Sequence, residues 1–384
     1  MSSTFPLKKF EALKTPFYYY DMELLERTLK KIKEESDRYN FHVHYAIKAN
    51  FNSRLLELIK NYGFGIDCVS GYEIKRALEV GFDPAGIVFA GVGKSDWEIE
   101  LGLDNDIACF NVESIPELEV INDLAKRRGK VATVAVRINP NVDANTHSYI
   151  TTGLDENKFG VNRIDLEDFT DKISKMQNVS LEGLHFHIGS QITDLSSFKD
   201  LCVKVNEIQE WFISQKIYPK VINVGGGLGI DYENPDYNSI PQFEDYFKVF
   251  KKGLNIKGDQ QVHFELGRSV VGQCGSLITR VLYVKKGVKT DFAIVDGGMT
   301  DLIRPALYQA YHKIENISSS SPEKKYDIVG PICESSDSFG KAQSLPETAR
   351  GDFIAVRSAG AYGEVMVSPY NLREFPKAYY SDQL

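Results

Sequence analysis

The sequence predicts an α/β protein, a (β/α)8 TIM-like barrel followed by a second, C-terminal β-rich domain. Three observations carry this. Short apolar, β-rich runs recur along the first two thirds of the 384 residues. The first four begin 21 or 22 residues apart, and a Ser-x-x-Glu pattern follows three consecutive runs. Near-continuous apolar runs suit strands covered on both faces, and intervals of this length hold one crossover helix each, as parallel β/α units require.

Taken in order, TPFYYY (15–20) reads as a strand that precedes the barrel and is expected to join the later β-rich region. DMELLERTLKKIKEESDRY (21–39) reads as a helix. Four strand candidates follow, HVHYAIK (42–48), FGIDCVS (64–70), GIVFAGV (86–92) and IACFNVES (107–114). The pairs Ser70/Glu73, Ser95/Glu98 and Ser114/Glu117 are capping boxes, in which the serine accepts a first-turn N–H and the glutamate reaches back. Gly81 and Gly129 stand where helices end in a left-handed residue. VATVAVRI (131–138), LEGLHFHIG (181–189), VINVGGGLG (221–229) and QVHFELG (261–267) bring the count to eight. Eight alternating units match a closed barrel better than an open doubly wound sheet. After about residue 270, strand-like runs follow one another without helices: SLITRVLYVKKG, DFAIVDGG, YDIVGP and DFIAVRSAGAYG. The predicted division is a barrel over 26–269 and a β-rich domain over 270–384, joined by the N-terminal stretch 1–25.

Composition narrows the function. There are 45 basic and 53 acidic residues, a net charge of −8. No block of Lys or Arg marks a nucleic-acid or anionic-membrane footprint, so small-molecule chemistry is favoured. MSSTFPLKKF lacks the apolar core of a signal peptide, and no run approaches the ~20 apolar residues of a membrane span, so a soluble cytoplasmic protein is expected. The five cysteines (68, 109, 202, 274, 333) are scattered and never spaced as CxxC. That argues against a disulfide framework and a zinc site, and no metal is expected.

Barrel active sites form where the strands end, so polar groups there are candidates for chemistry. Lys48 follows an apolar run, where desolvation favours the neutral amine that forms Schiff bases; a snorkelling surface lysine is the alternative. His185 and His187 share one face of the sixth strand by alternation, with Ser190 just beyond, and could equally be core histidines. Gly225, Gly226 and Gly227 let backbone N–H groups approach a phosphate, or simply turn the chain. Glu265 and Arg268 place a carboxylate and a guanidinium at the barrel mouth, or form a structural ion pair. An amine, a phosphate cradle, a ring and a carboxylate able to meet a pyridinium nitrogen together describe a pyridoxal phosphate site. Asp67 and Arg137, at other strand ends, either support the cofactor or pair structurally.

The motifs YAIKAN at Lys48, HFHIGSQ (185–191), GGGLG (225–229), ELGRS (265–269), RPALYQAYH (304–312), CESSD (333–337) and AGAYG (359–363) occur in this order. With them the chain resembles, over essentially its whole length, the fold-type III pyridoxal-phosphate decarboxylases and among these the diaminopimelate decarboxylase family. The resemblance implies that Lys48 forms the Schiff base with pyridoxal 5'-phosphate and that His187 stacks on its ring. Ser190 and Gly225, Gly226 and Gly227 would hold the phosphate, with Gly267, Arg268 and Tyr362 also at the cofactor, and Glu265 would pair with the ring nitrogen. Arg268, Arg304 and Tyr308 would bind the distal carboxylate of the substrate and Glu334 its distal ammonium, while Tyr362 lies beside cofactor and substrate. Cys333 resembles the proton donor that reaches the site from the other subunit of a homodimer, with Lys48 as the other candidate for the final proton; an inert core cysteine is the alternative reading of Cys333. The family usually has proline where this chain has Leu266, and only a local backbone difference is expected.

The implied reaction is decarboxylation of meso-2,6-diaminopimelate at its D centre to L-lysine and carbon dioxide, the last step of lysine biosynthesis. Two arginines suit a second carboxylate and argue against an ornithine decarboxylase, whose substrate would leave a buried guanidinium unpaired. A carboxynorspermidine-type or basic amino-acid decarboxylase is the nearest competitor. An alanine-racemase-like enzyme and a non-catalytic pyridoxal-phosphate carrier lie further off.

Overall fold

The computed structural model describes residues 5–142 and 158–384. Residues 1–4 of the predicted N-terminal stretch lie outside them. The chain divides into two units, one made of Leu29–Gly229 and Gln242–Gly267, the other of Met1–Thr28, Ile230–Pro241 and Arg268–Leu384. The segment 230–241 thus groups with the β-rich unit, although it falls inside the sequence range predicted for the barrel.

The first strand of the chain is β1 (Phe17–Tyr20). The larger unit is a closed barrel of eight parallel strands, β2 (Phe41–Ala46), β3 (Gly65–Cys68), β4 (Ile87–Phe89), β5 (Cys109–Val112), β6 (Ala132–Arg137), β7 (Val179–His185), β8 (Val221–Asn223) and β9 (Gln261–Leu266). Each strand pairs with the next, and β9 closes on β2 with His44 opposite Glu265 and Tyr45 opposite Leu266. β3, β4, β5 and β6 are buried along most of their length and read as near-continuous apolar runs, whereas β2 and β9 alternate, with His42, His44, Gln261, His263 and Glu265 standing between apolar residues.

Local capping explains the helix starts. Ser70 and Ser114 accept the N–H of Glu73 and Glu117, and Ser95 with Glu98 forms the reciprocal box. Glu73 and Glu117 reach one residue further back, accepting from Val69 N and Glu113 N. These glutamates therefore clamp the strand exit itself to the helix start. Gly81, with φ 87°, ends its helix in the left-handed conformation. The predicted helix 21–39 spans Met22–Asp37.

Every barrel strand stops short of its predicted end, and this moves the chemistry. β2 ends at Ala46, so Lys48 sits in a 3-10 turn, Ile47–Ala49. β7 ends at His185, placing His187 and Ser190 in the following loop. β8 ends at Asn223, which frees the glycine triplet to turn. Backbone beyond the last ladder bond points where side chains and N–H groups require.

The second unit is an eight-stranded sheet built from β1 with β10 (Gly275–Lys285), β11 (Asp291–Val295), β12 (Ile314–Asn316), β13 (Glu323–Val329), β14 (Ser338–Pro346), β15 (Phe353–Val356) and β16 (Lys377–Tyr380), in the order β12-β15-β10-β11-β13-β14. β1 pairs antiparallel with β10 and parallel with β16. β12, β14 and β16 carry no strong apolar run, and sequence reading does not find them. The predicted strand DFIAVRSAGAYG ends at Val356, and its last residues are turns. Phe10, Phe17, Tyr19, Ile278, Phe353 and Ala355 form a buried core against β1. Burying one such large apolar side chain contributes about 1.5–3 kcal/mol.

Candidate active site

The barrel interior gathers charge around one carboxylate. Glu265, on β9, is buried and receives Asn111 Nδ2 from β5 at 3.1 Å and Asn223 Nδ2 from β8 at 2.8 Å on Oε1. His185 Nε2 from β7 lies 3.0 Å from Oε2. Burial by itself raises a carboxyl, but the contact with His185 and the positive charge of Lys48 outweigh it, holding Glu265 well below the usual carboxylate range. The result is a fixed negative charge with its oxygens aimed by donors from three strands.

Lys48 Nζ stands 3.3 Å from Oδ2 of Asp67, which is fully buried on β3. Burial, then the nearby Glu265 charge, push the Asp67 carboxyl up to about 8 against the pull of Lys48. Its Oδ1 is buried without a hydrogen-bond partner. His187 Nδ1 accepts the Gly226 N–H at 3.4 Å, so the ring proton belongs on Nε2. Burial, together with Arg137 and Lys48, keeps His187 neutral, well below the usual histidine range.

Gly225 and Gly227 adopt φ 69° and 105°, which side chains rarely tolerate. A Cβ on Gly225 would strike the Phe186 carbonyl, and one on Gly226 the Glu265 carbonyl. The Ser190 loop is tied to this turn by Ile192 N to Gly227 O and Gly229 N to Ile192 O, both 2.9 Å. Lys48, Asp67, His187, Ser190, the glycines and Glu265 thus all belong to one end of the barrel. Arg137 behaves differently: its Nη1 pairs with Glu113 Oε1 at 2.8 Å, and Glu113 also accepts Gly91 N and Gly160 N. This is a buried structural pair that joins strand exits.

The β-rich unit holds a second polar group. Arg268 Nη1 donates to Tyr232 Oη at 2.6 Å, and Arg304 Nη2 donates to the same oxygen at 3.3 Å. The Arg268 guanidinium lies 4.9 Å from the Tyr362 ring centre, and that of Arg304 lies 5.9 Å from the ring of Tyr308. Both arginines are buried. Burial and the charge of Arg268 lower the Arg304 pKa from its ordinary value, and among the described residues no carboxylate forms an ion pair with Arg304. Tyr362 is held at φ 55°, a conformation that costs a non-glycine residue about 1–3 kcal/mol.

Cys333 and Glu334 are exposed. Cys333 N donates to Asn371 Oδ1 at 3.3 Å, and Tyr370 Oη donates to Glu334 Oε1 at 2.7 Å. Neither residue joins the arginine group within this chain by a hydrogen bond among those of the described residues. Asn111, Asn223, Tyr232 and His312 escaped the sequence reading. The two asparagines had a signal, as polar residues inside otherwise apolar strand runs, whereas Tyr232 lies in a loop with no pattern.

The chain's residues 22–272 match the family model of the pyridoxal-dependent decarboxylase, pyridoxal binding domain. It is 59% identical to the diaminopimelate decarboxylase of Bacteroides thetaiotaomicron over 385 residues, covering all of both chains. Among solved structures, diaminopimelate decarboxylase from Helicobacter pylori complexed with L-lysine superposes with a TM-score of 0.93 at 42% identity, covering 98% of this chain and 94% of that one. That from M. jannaschii superposes with a TM-score of 0.92 at 35% identity, covering 98% and 89%. With a matching barrel, sheet and length, the chain belongs to the pyridoxal-dependent decarboxylases, in their diaminopimelate decarboxylase family.

Proposed function

We propose that this chain uses pyridoxal 5'-phosphate to decarboxylate meso-2,6-diaminopimelate at its D centre, giving L-lysine and carbon dioxide. The observation that carries the substrate reading is the buried Arg268 and Arg304 pair around one tyrosine hydroxyl, a cationic patch suited to a carboxylate that does not react. The barrel residues fit the cofactor: Asp67 Oδ1 and His185 Nδ1 are buried polar atoms still to be satisfied, beside a positive-φ glycine turn whose backbone N–H groups carry no side chains over them. Bound pyridoxal phosphate would supply the electron sink for the pair released when carbon dioxide departs.

The chain's own groups do the rest. Lys48 Nζ, beside Asp67, would hold the cofactor covalently and yield it to the substrate amine. Glu265 would keep a ring nitrogen protonated, because its charge is fixed and its oxygens are held. His187, neutral and anchored to Gly226, offers a flat ring for stacking. Ser190 and the Gly225, Gly226 and Gly227 turn would hold the phosphate, with Gly267 and Tyr362 close to the cofactor. Arg268, Arg304 and Tyr308 would bind the distal carboxylate.

The test is carbon dioxide release by the holoenzyme from meso-diaminopimelate, ornithine, arginine and carboxynorspermidine. Lysine formation from meso-diaminopimelate alone is the expected result. Release from another amine would move the substrate, racemised product would favour racemase chemistry, and no turnover with cofactor retained would favour the carrier.

We propose further that the active unit is a homodimer in which Cys333 Sγ donates the final proton, and Glu334 binds the distal ammonium, in the partner subunit's site. The exposure of both residues in the single chain supports this. Mixing inactive Lys48→Ala and Cys333→Ala protomers should then restore measurable activity through hybrid dimers with one intact site. No recovery, with subunit exchange demonstrated by mass, would count against a shared site.

A further inference from the structure

His312 closes the run RPALYQAYH and has no role in the reading above, yet it is 1% exposed and both ring nitrogens are engaged. Nδ1 lies 2.9 Å from the Arg357 carbonyl, and Nε2 lies 3.3 Å from Arg304 Nε. A carbonyl only accepts, so Nδ1 carries the proton and Nε2 presents its lone pair to the Arg304 Nε–H. This requires a neutral ring. Burial, reinforced by the charge of Arg304, pushes the imidazole down to about 3.

The scaffold behind His312 is fixed. Arg357, whose carbonyl sets the tautomer, is held by Asp236 at 2.7 Å and Glu315 at 2.5 Å. The Tyr232 ring packs edge-on against the imidazole, with centroids 5.1 Å apart and planes at 83°. Its hydroxyl accepts from Arg304 Nη2.

A guanidinium can grip a carboxylate along its side, through Nε and Nη2, or across its end, through Nη1 and Nη2. In this chain His312 and Tyr232 already occupy the side. We infer that His312 is a positioning residue: by holding Nε it turns the Nη1 and Nη2 end of Arg304 toward the substrate's distal carboxylate, and so sets discrimination between amines that carry this carboxylate and amines that lack it. The inference rests on Arg304 being the ligand of that carboxylate.

The experiment compares equilibrium binding of L-lysine and of cadaverine, which is lysine without its carboxylate, to the holoenzyme. His312→Asn keeps an N–H for the Arg357 carbonyl but is too short to reach Arg304. It should weaken L-lysine about tenfold, the size of one lost hydrogen bond to a charged group, and leave cadaverine within about twofold. His312→Gln can both donate to the carbonyl and accept from Nε, and should recover most of the loss. In turnover, the Asn variant should raise KM for meso-diaminopimelate with kcat little changed. Equal weakening of both ligands, or none of either, would overturn the positioning role. Wild-type protein that binds L-lysine no better than cadaverine would overturn the carboxylate role of Arg304, and the inference with it.

Discussion

Lys48→Ala should reduce carbon dioxide release by on the order of 10³-fold or more, the scale of loss when a covalent catalytic group is removed. The amine lies 3.3 Å from a buried carboxylate in a turn that strand β2 delivers to the barrel mouth. No other lysine side chain forms an ion pair with a barrel-strand carboxylate of β3 or β9 among the described residues. The loss should come without unfolding. Asp67 already sits near neutrality in its protonation, pushed up to about 8 by burial and by Glu265. Deprived of Lys48, it can take a proton and avoid being a buried, unpaired charge. Two measurements check this. The melting temperature should stay close to that of the wild type, and after borohydride reduction only wild-type protein should gain the mass of the cofactor. A variant that still gains that mass would remove Lys48 from its role.

Glu265→Gln should lower turnover by about 10²–10³-fold, the loss typical for one preorganised electrostatic group. The change is isosteric, but it replaces a charge that three donors were built to meet, and turns an NH2 toward Asn111, Asn223 or His185. Glu265→Leu should be worse for the fold, because each donor left buried and unpaired costs about 1–3 kcal/mol. The pH dependence has a definite sign. The folded-state carboxyl is held below its unfolded value, near 4.3 in model peptides, so its contribution to stability is present above about that pH and is lost as the pH falls toward the folded value. Acidification below about pH 4.3 should therefore lower the wild-type melting temperature more steeply than that of Glu265→Gln. Parallel curves for the two proteins would show that the carboxylate is not held in this way.

The features legible in the sequence are those set by neighbours along the chain. Burial on both faces makes a strand one apolar run, and a serine three residues before a glutamate satisfies N–H groups that every helix start exposes. The barrel, its helices and the positions of Lys48, His187, Ser190, Gly225 to Gly227 and Glu265 could be named for that reason. The ends of the strands could not, because an apolar run continues past the last ladder bond into the turn. That difference placed Lys48 and His187 off their strands.

The tertiary structure decided which groups answer one another. The donors that aim Glu265 come from 154, 80 and 42 residues away, from β5, β7 and β8. Only closure of the barrel turns those side chains onto a common interior. The tyrosine shared by Arg268 and Arg304 stands 36 residues before the one and 72 before the other, in a segment without periodicity. Arg137, open to two readings from sequence, is met by Glu113, the residue just beyond the end of β5. Periodicity and caps report a residue's own stretch of chain, whereas charge state, tautomer and the aim of a guanidinium depend on partners that folding brings within hydrogen-bond reach.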